Sequence, residues 1–400
     1  GAVMPVKAPL AIALGVAANR PSSTLIMPVE GAGLAAHVPG VRILAARSLE
    51  QVVEYFSGAG HLSEAGPVPL PAPELPDWCM SDVRGQATAC RALEVAASGK
   101  HSLLMVGPPG TGKSMLASRL PGLLPELDRN QALEVAALAG LAGAQDPPFS
   151  LQAPFRSPHH TSSVAAIAGG GAIPGPGEIS RAHRGVLFMD ELPEFRRAVI
   201  ESLREPLETG CVAIARATRS VVFPADFQLV AAMNPCPCGW MGHGLKNCSC
   251  TPDQVTRYRA KISGPFLDRV DLHISLPAAA ADWMDLPPGE PSCTIRERVT
   301  VCHAIQTERQ GCSNARLTAA QLDRYCSPDA GGRKLLQQGI TRWGWSGRVV
   351  HRILRVARTL ADMQGCDGIA ATHLAEAIHY RDGLADMSMR VVDTGGRIGV

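Results

Sequence analysis

Residues 102–120 read SLLMVGPPGTGKSMLASRL. The apolar run 102–106, bounded by turn formers, predicts a buried strand, and a helical pattern begins after Gly112. Between them, Gly107-Pro108-Pro109-Gly110-Thr111-Gly112-Lys113-Ser114 follows the strand, glycine-rich turn, helix order of a Walker A phosphate loop. Glycines let the chain curl so that successive N–H groups face an anion, and the new helix adds the positive end of its dipole. In such a loop Lys113 reaches the β and γ phosphates and the Ser114 hydroxyl ligates Mg²⁺. Residues 107–115, ending in Met115, are the candidate ATP-binding set.

Moving outward, Val186-Leu187-Phe188-Met189 reads as a second buried strand that ends in Asp190-Glu191. Acids often terminate strands, but downstream of a phosphate loop the pair has the Walker B arrangement. Asp190 would hold Mg²⁺ through water, and Glu191 would polarise the attacking water as general base. A strand at 228–233 ends at Asn234, whose amide can orient the lytic water; capping the turn before Pro235 is compatible with that role. Residues 195–208 predict one amphipathic helix with Phe195, Val199, Leu203 and Leu207 inward, stopped by Gly210. Runs 211–216 and 220–223, joined by the turn 217–219, predict a hairpin with Arg216 and Arg219 near its tip as candidate DNA contacts. The glycine-rich stretch 154–185 reads as a long functional loop, with a disordered surface loop as the alternative.

Cys236-Pro237-Cys238 and, nine residues on, Cys248-Ser249-Cys250 form two tight pairs. Four such thiols suit a structural, tetrahedral Zn²⁺ site, with His243 as a substitute ligand and a free-thiol loop as the alternative. Among the 12 cysteines, Cys79, Cys90, Cys211 and Cys326 are expected to be small buried hydrophobes.

The 400 residues suggest two or three domains, and a net charge of +2 favours neither an acidic nor a basic partner. The apolar run 10–18 is too short to span a bilayer and lacks signal-peptide flanks, so a cytoplasmic protein without a membrane partner is expected. Helices are predicted at 8–18, 48–56, 87–97 and 130–139, with a strand at 24–27. Residues 61–77 form a Pro-rich linker between an N-terminal unit (1–60) and a core (78–280). A mostly helical domain (281–383) follows, then a tail (384–400) without pattern. Its helices are predicted at 294–309, 318–325, 331–339, 347–363 and 371–380. In the fourth, Val349, Ile353, Val356 and Leu360 make the inward stripe, while Arg348, Arg352 and Arg355 share a face expected to be solvated.

Two resemblances extend this reading. Residues 1–57 resemble the closing part of the Lon protease-like domain through Gly1-Ala2-Val3-Met4-Pro5-Val6 followed by a helix. The protease's catalytic lysine position falls near Leu10 and no serine nucleophile motif is present, so a structural role is expected, with further chain preceding Gly1. GPPGTGKS (107–114), FRSPHH (155–160), PGEISRAHRGVLFMDELPEF (176–195), LREPLETG (203–210), AAMNPCPCG (231–239), GPFLDRVDL (264–272) and SGRVVHRILRVARTLAD (346–362) resemble the ComM (YifB) family of AAA+ ATPases. That family is related to magnesium-chelatase ATPase subunits and MCM helicases. The resemblance implies an α/β fold: an AAA+ P-loop core of the helix-2-insert clade, a C-terminal helical lid and an N-terminal Lon-protease-like α+β fragment. It makes the loop 161–178 the helix-2 insertion; this loop and the hairpin point into the pore of a hexameric ring. It makes Asn234 sensor 1, Arg269 the arginine finger for a neighbour's ATP and Arg348 sensor 2, and it places the loop at 81–86, with Gln86, beside the adenine. The implied activity is an ATP-driven DNA helicase for branch migration in natural transformation, gripping DNA without reading sequence. A chelatase-type motor on a protein partner and an ATP-dependent protease are the alternatives.

Overall fold

The computed structural model describes residues 1–69, 78–143, 149–171, 174–216, 219–278 and 282–382. Near the start, α1 (Pro9–Asn19) opens with proline in its first turn, where a missing N–H costs nothing. Strand β1 (Thr24–Pro28) runs parallel to β2 (Arg42–Ala46), with α2 (Val29–Ala35) crossing between them. Ser48 caps α3 (Leu49–Ser57) by accepting from the Gln51 N–H, and Gly58 closes the helix at φ 76°. Residues 63–68 differ from the linker reading. Ser63–Glu64 form β3, antiparallel to β2, and the Val68 N–H bonds back to the Gly33 carbonyl. The open edge of β2 takes up passing backbone there, because the prolines that cannot donate begin only at Pro67. Residues 70–77 lie outside the described residues. Leu10, where the resemblance puts a lysine, is an apolar side chain buried in the cluster with Ala13, Met27 and Leu133.

The core begins with α4 (Ala87–Gly99), β4 (Leu103–Val106), α5 (Lys113–Arg119) and α6 (Arg129–Leu141), the last opened by an Asp128/Gln131 capping box. Strand β5 (Phe155–Arg156), α7 (Val164–Ala168), the small hairpin β6 (Gly169–Gly170) and β7 (Gly175–Pro176), and α8 (Glu178–Arg181) occupy the glycine-rich stretch. The described residues of that stretch are therefore folded rather than disordered. Its packing is tight: a Cβ on Gly177 would lie 2.3 Å from the Gly169 nitrogen. Strand β8 (Val186–Met189) follows, then α9 (Arg197–Ser202) and α10 (Arg204–Thr209).

The single helix expected at 195–208 is thus two. Pro206 has no N–H to return to the Ser202 carbonyl, so the ladder breaks at Leu203 and the proline sits in the first turn of α10. Phe195, Val199 and Leu203 are still buried. Strands β9 (Cys211–Arg216) and β10 (Arg219–Pro224) pair with Arg216 opposite Arg219. Arg219 therefore opens a strand instead of completing the turn, because two-residue connections match strand twist best. Residues 217–218, and the side chains of Arg216 and Arg219 named as DNA contacts, lie outside what is described. Strand β11 (Gln228–Met233), α11 (Pro252–Arg259), α12 (Gly264–Leu267) and β12 (Leu272–Ser275) complete the core.

The main sheet has the order β12-β4-β11-β8-β5 and every pairing in it is parallel. Helices cover both faces, which is why β4, β8 and β11 are buried at every position. This is the P-loop α/β core of an AAA+ protein. The order matters for function, since β4, β11 and β8 are neighbours and their carboxyl ends deliver three loops to one edge.

A helical unit follows: α13 (Ser292–Gln310), α14 (Ala319–Tyr325), α15 (Ala330–Trp343), α16 (Gly347–Met363) and α17 (Ala371–Asp382). Helix α15 continues past Gly339 because the Trp345 ring packs where a side chain there would sit. The α16 stripe Val349, Ile353, Val356 and Leu360 is buried as expected. Of its arginine face, Arg348 is exposed as expected, whereas Arg352 pairs with Asp271 at 3.0 Å and Arg355 donates to the Leu317 carbonyl at 2.6 Å. Of the cysteines read as core, Cys326 is buried, whereas Cys79, Cys90 and Cys211 are half-exposed. Residues 383–400 lie outside the described residues.

Candidate nucleotide-binding site

The phosphate loop connects β4 to α5. Gly107 is required by a close approach, since a Cβ there would lie 2.7 Å from the Leu276 carbonyl. Gly110 and Gly112 both sit at φ 78°, where a side chain would be strained. Thr111 donates to the Pro108 carbonyl at 2.9 Å, and Gln86 donates to the Thr111 carbonyl at 2.8 Å, joining the 81–86 segment to the loop. The half-buried Met115 covers Gly112.

Lys113 Nζ donates to the carbonyls of Gly107 (2.8 Å) and Pro108 (2.9 Å) and to Asn234 Oδ1 (3.2 Å). Burial pushes its pKa below the ordinary value, and the carboxylates of Asp190 and Glu191 oppose that shift. Ser114 donates to Asp190 Oδ2 at 2.7 Å, while Asp190 Oδ1 accepts from the Glu191 N–H at 2.9 Å. A hydroxyl beside a carboxylate is the hard-oxygen set that Mg²⁺ takes, so these residues fit the cation. Glu191 holds φ 53°, and its carboxylate meets His160 Nδ1 at 3.3 Å. His160 closes the FRSPHH run (155–160), to which the sequence alone assigns no role.

Arg269 and Arg348 lie elsewhere. Both line a cavity of about 290 Å³ with Glu208, Asp268, Arg316, His351, Arg352 and Arg355, and no phosphate-loop residue borders it. Arg269 is buried: it pairs with Glu208 at 2.8 Å and donates to the Pro265 carbonyl at 2.6 Å. Among the described residues, the Nε atoms of Arg269 and Arg355 are buried without a partner. Beneath them, the carboxylate of Asp271 accepts from the Ser102 N–H and hydroxyl, both at 2.9 Å. Burial alone would raise its pKa, but Arg352, His101 and the Ser102 N–H hold it far below the usual carboxylate range.

Residues 79–284 match the family model described as magnesium chelatase, subunit ChlI, and residues 289–381 match the model for that subunit's C-terminal part. The chain belongs to the ChlI family. It is 44% identical to the uncharacterized protein YifB of Escherichia coli over 348 residues, covering 86% of this chain and 68% of that protein. It is 43% identical to the competence protein ComM of Haemophilus influenzae over 375 residues, covering 92% of this chain and 73% of that one. The magnesium-chelatase 67 kDa subunit of Heliobacterium mobile is 27% identical over 194 residues, 41% of this chain and 29% of its own length. ChlI-family membership implies an AAA+ nucleotide site with Mg²⁺.

This ChlI-family chain also gathers its four clustered cysteines. The sulfurs of Cys236, Cys238, Cys248 and Cys250 all lie within 4.8 Å of one another, which suits tetrahedral Zn²⁺. Burial pushes the Cys238 thiol up, but the N–H groups of Trp240 and Ser249 and the Cys250 thiol outweigh it and bring it down to about 6. His243 stacks edge-on against Trp240 instead of joining the cluster. The loop also touches the nucleotide site: a Cβ on Gly239, at φ 83°, would lie 2.8 Å from Pro109. No helix among the described residues is long and apolar enough to cross a membrane.

Proposed function

We propose that this chain is the motor of a cytoplasmic, hexameric, ATP-driven DNA helicase that promotes branch migration as single-stranded DNA is integrated during natural transformation. The observation that carries it is the convergence of Lys113, Ser114, Asp190 and Asn234 on one loop, with Glu191 adjoining. Likeness to the competence protein ComM supports the DNA substrate. When bound, Mg²⁺ neutralises charge on the phosphoryl oxygens. Lys113 then leaves its loop carbonyls for the phosphates, Asn234 orients the water, and Glu191 accepts its proton. Arg269 exchanges Glu208 for the phosphate of a neighbouring protomer, contributing about 10³–10⁵ in rate. The β9–β10 and β6–β7 hairpins move with each cycle and grip phosphates, so binding weakens steeply as salt rises. The cysteine cluster holds Zn²⁺ as a structural brace beside Pro109.

The test is ATP hydrolysis with and without single-stranded DNA. Stimulation by DNA is expected, together with loss of unwinding of three-stranded DNA in Glu191→Gln. Unwinding retained in that variant would refute the chemistry. The ChlI family match favours a second reading, a remodelling motor acting on a protein partner; hydrolysis indifferent to DNA would select it. Proteolysis finds no amine at Leu10, and ATP-dependent casein cleavage would be needed to restore it. Zinc is tested by metal analysis of fully active protein, with one ion per chain expected and none refuting the brace.

A further inference from the structure

Residues 234–250 link the end of β11 to α11, and no helix or strand forms among them. A few ties give the segment its shape. The Gly239 N–H bonds the Cys236 carbonyl at 3.0 Å, and the Cys238 N–H meets Cys250 Sγ at 3.4 Å. Cys236 Sγ lies 3.4 Å from Cys238 Sγ and 3.5 Å from Cys248 Sγ. Contacts between thiols are weak, whereas a metal held by four thiolates contributes folding energy outright. Binding of a metal at the cluster would therefore fix the whole segment.

The first part of that segment touches the phosphate loop at both ends. Asn234 Oδ1 accepts from Lys113 Nζ at 3.2 Å. Gly239, at φ 83°, is wedged between the two sides: a Cβ there would lie 2.8 Å from Pro109 and 3.8 Å from Asn234 Cγ. Pro109 follows Pro108, whose carbonyl accepts from Lys113 and from Thr111, each at 2.9 Å. On the other side, Arg259 of α11 donates to the Pro235 carbonyl at 3.2 Å. Cys236, between Asn234 and Gly239 in the chain, is fully buried. A shift of its sulfur is thus passed to both residues that meet the phosphate loop.

We propose that metal occupancy of the four cysteines sets nucleotide affinity. Zn²⁺ on Cys236, Cys238, Cys248 and Cys250 holds Gly239 against Pro109 and Asn234 against Lys113, so that zinc and an adenine nucleotide bind cooperatively. Gly239 is the positioning residue that joins the two sites. The coupling rests on zinc filling the cluster as proposed above; a brace that only stabilised the fold would leave the nucleotide affinity of the folded chain unchanged. By linkage, the factor that zinc adds to nucleotide affinity is the factor that nucleotide adds to zinc affinity.

The experiment titrates a fluorescent ADP into the full chain, zinc-loaded and zinc-stripped, with Mg²⁺ in excess. Competition with a chromogenic chelator of known affinity reads zinc binding with and without saturating ADP. Removing zinc is expected to weaken ADP binding about tenfold, within the usual range for two coupled sites, and ADP is expected to tighten zinc by the same factor. Gly239→Ala drives a methyl group into Pro109 while leaving all four cysteines in place. It is expected to keep its zinc yet bind ADP as weakly as the zinc-stripped wild type. Equal ADP affinity of the zinc-loaded and zinc-stripped chains, with the same far-UV circular dichroism, overturns the coupling and leaves the brace standing. If the stripped chain unfolds, Gly239→Ala decides: a zinc-loaded variant with wild-type ADP affinity overturns the coupling. Wild-type protein that binds ADP tightly and contains no zinc overturns both the coupling and the brace.

Discussion

The two halves of the proposed ATPase machinery differ in how complete they are. At the phosphate loop the charged and hydroxyl groups have partners within the chain: the Lys113 ammonium has three acceptors and Ser114 has Asp190. At the opposite edge, around Arg269 and Arg348, guanidiniums crowd one cavity and two buried Nε atoms have no acceptor among the described residues. Buried donors without acceptors cost stability. The cavity is rich in positive charge, and an anion suits it. In the function proposed above, the phosphate loop and the cationic cavity are the two parts of one site shared between protomers.

The sharpest way to break this comparison is Arg269→Ala. A loss of about 10³–10⁵ in kcat is expected, with nucleotide affinity of the phosphate loop unchanged in a fluorescent-ADP titration. A variant that still turned over at the wild-type rate would make the cationic cavity a structural feature only.

Next in size is the foundation under the cavity. Asp271→Ala leaves the Arg352 guanidinium, only 12% exposed, without its carboxylate. Breaking such a pair destabilises by about 3–5 kcal/mol, which denaturant unfolding will read. A change below about 1 kcal/mol would show that the carboxylate does not hold the arginine face.

A third test is acid sensitivity around β12 and α13. Burial pushes His273 down to about 3 and His303 down to about 4. Both imidazoles are neutral when folded and titrate near 6.5 when unfolded, so their contribution is fully present above 6.5. It is lost as pH falls from 6.5 toward 4 and then 3, at about 1.4 kcal/mol per pH unit for each histidine. Unfolding followed across that window with His273→Asn should show a shallower slope than wild type, and equal slopes would contradict the assignment.

Local pattern made much of the core legible. The strand runs, the glycines at positive φ and the Asp190-Glu191 pair are each written within a few consecutive residues, and the P-loop core follows from them. What could not be read locally are contacts between distant residues. Arg352 and Asp271 are 81 positions apart, and nothing near either one announces that α16 packs its arginines onto the start of β12. Glu208 masking Arg269, His160 meeting Glu191 and Gly239 lying against Pro109 are of the same kind: each depends on the strand order β12-β4-β11-β8-β5. The helix break at Pro206 was different, because the proline was in plain view and the strong 3.6-residue apolar period outweighed it.

The central claim is that one protomer's phosphate loop works with the neighbour's Arg269. Glu191→Gln and Arg269→Ala chains, each inactive alone, should regain ATP hydrolysis when mixed, because some junctions then pair an intact Glu191 with an intact Arg269. Mixtures as inactive as either variant by itself, despite co-assembly shown by mass measurement, would contradict it.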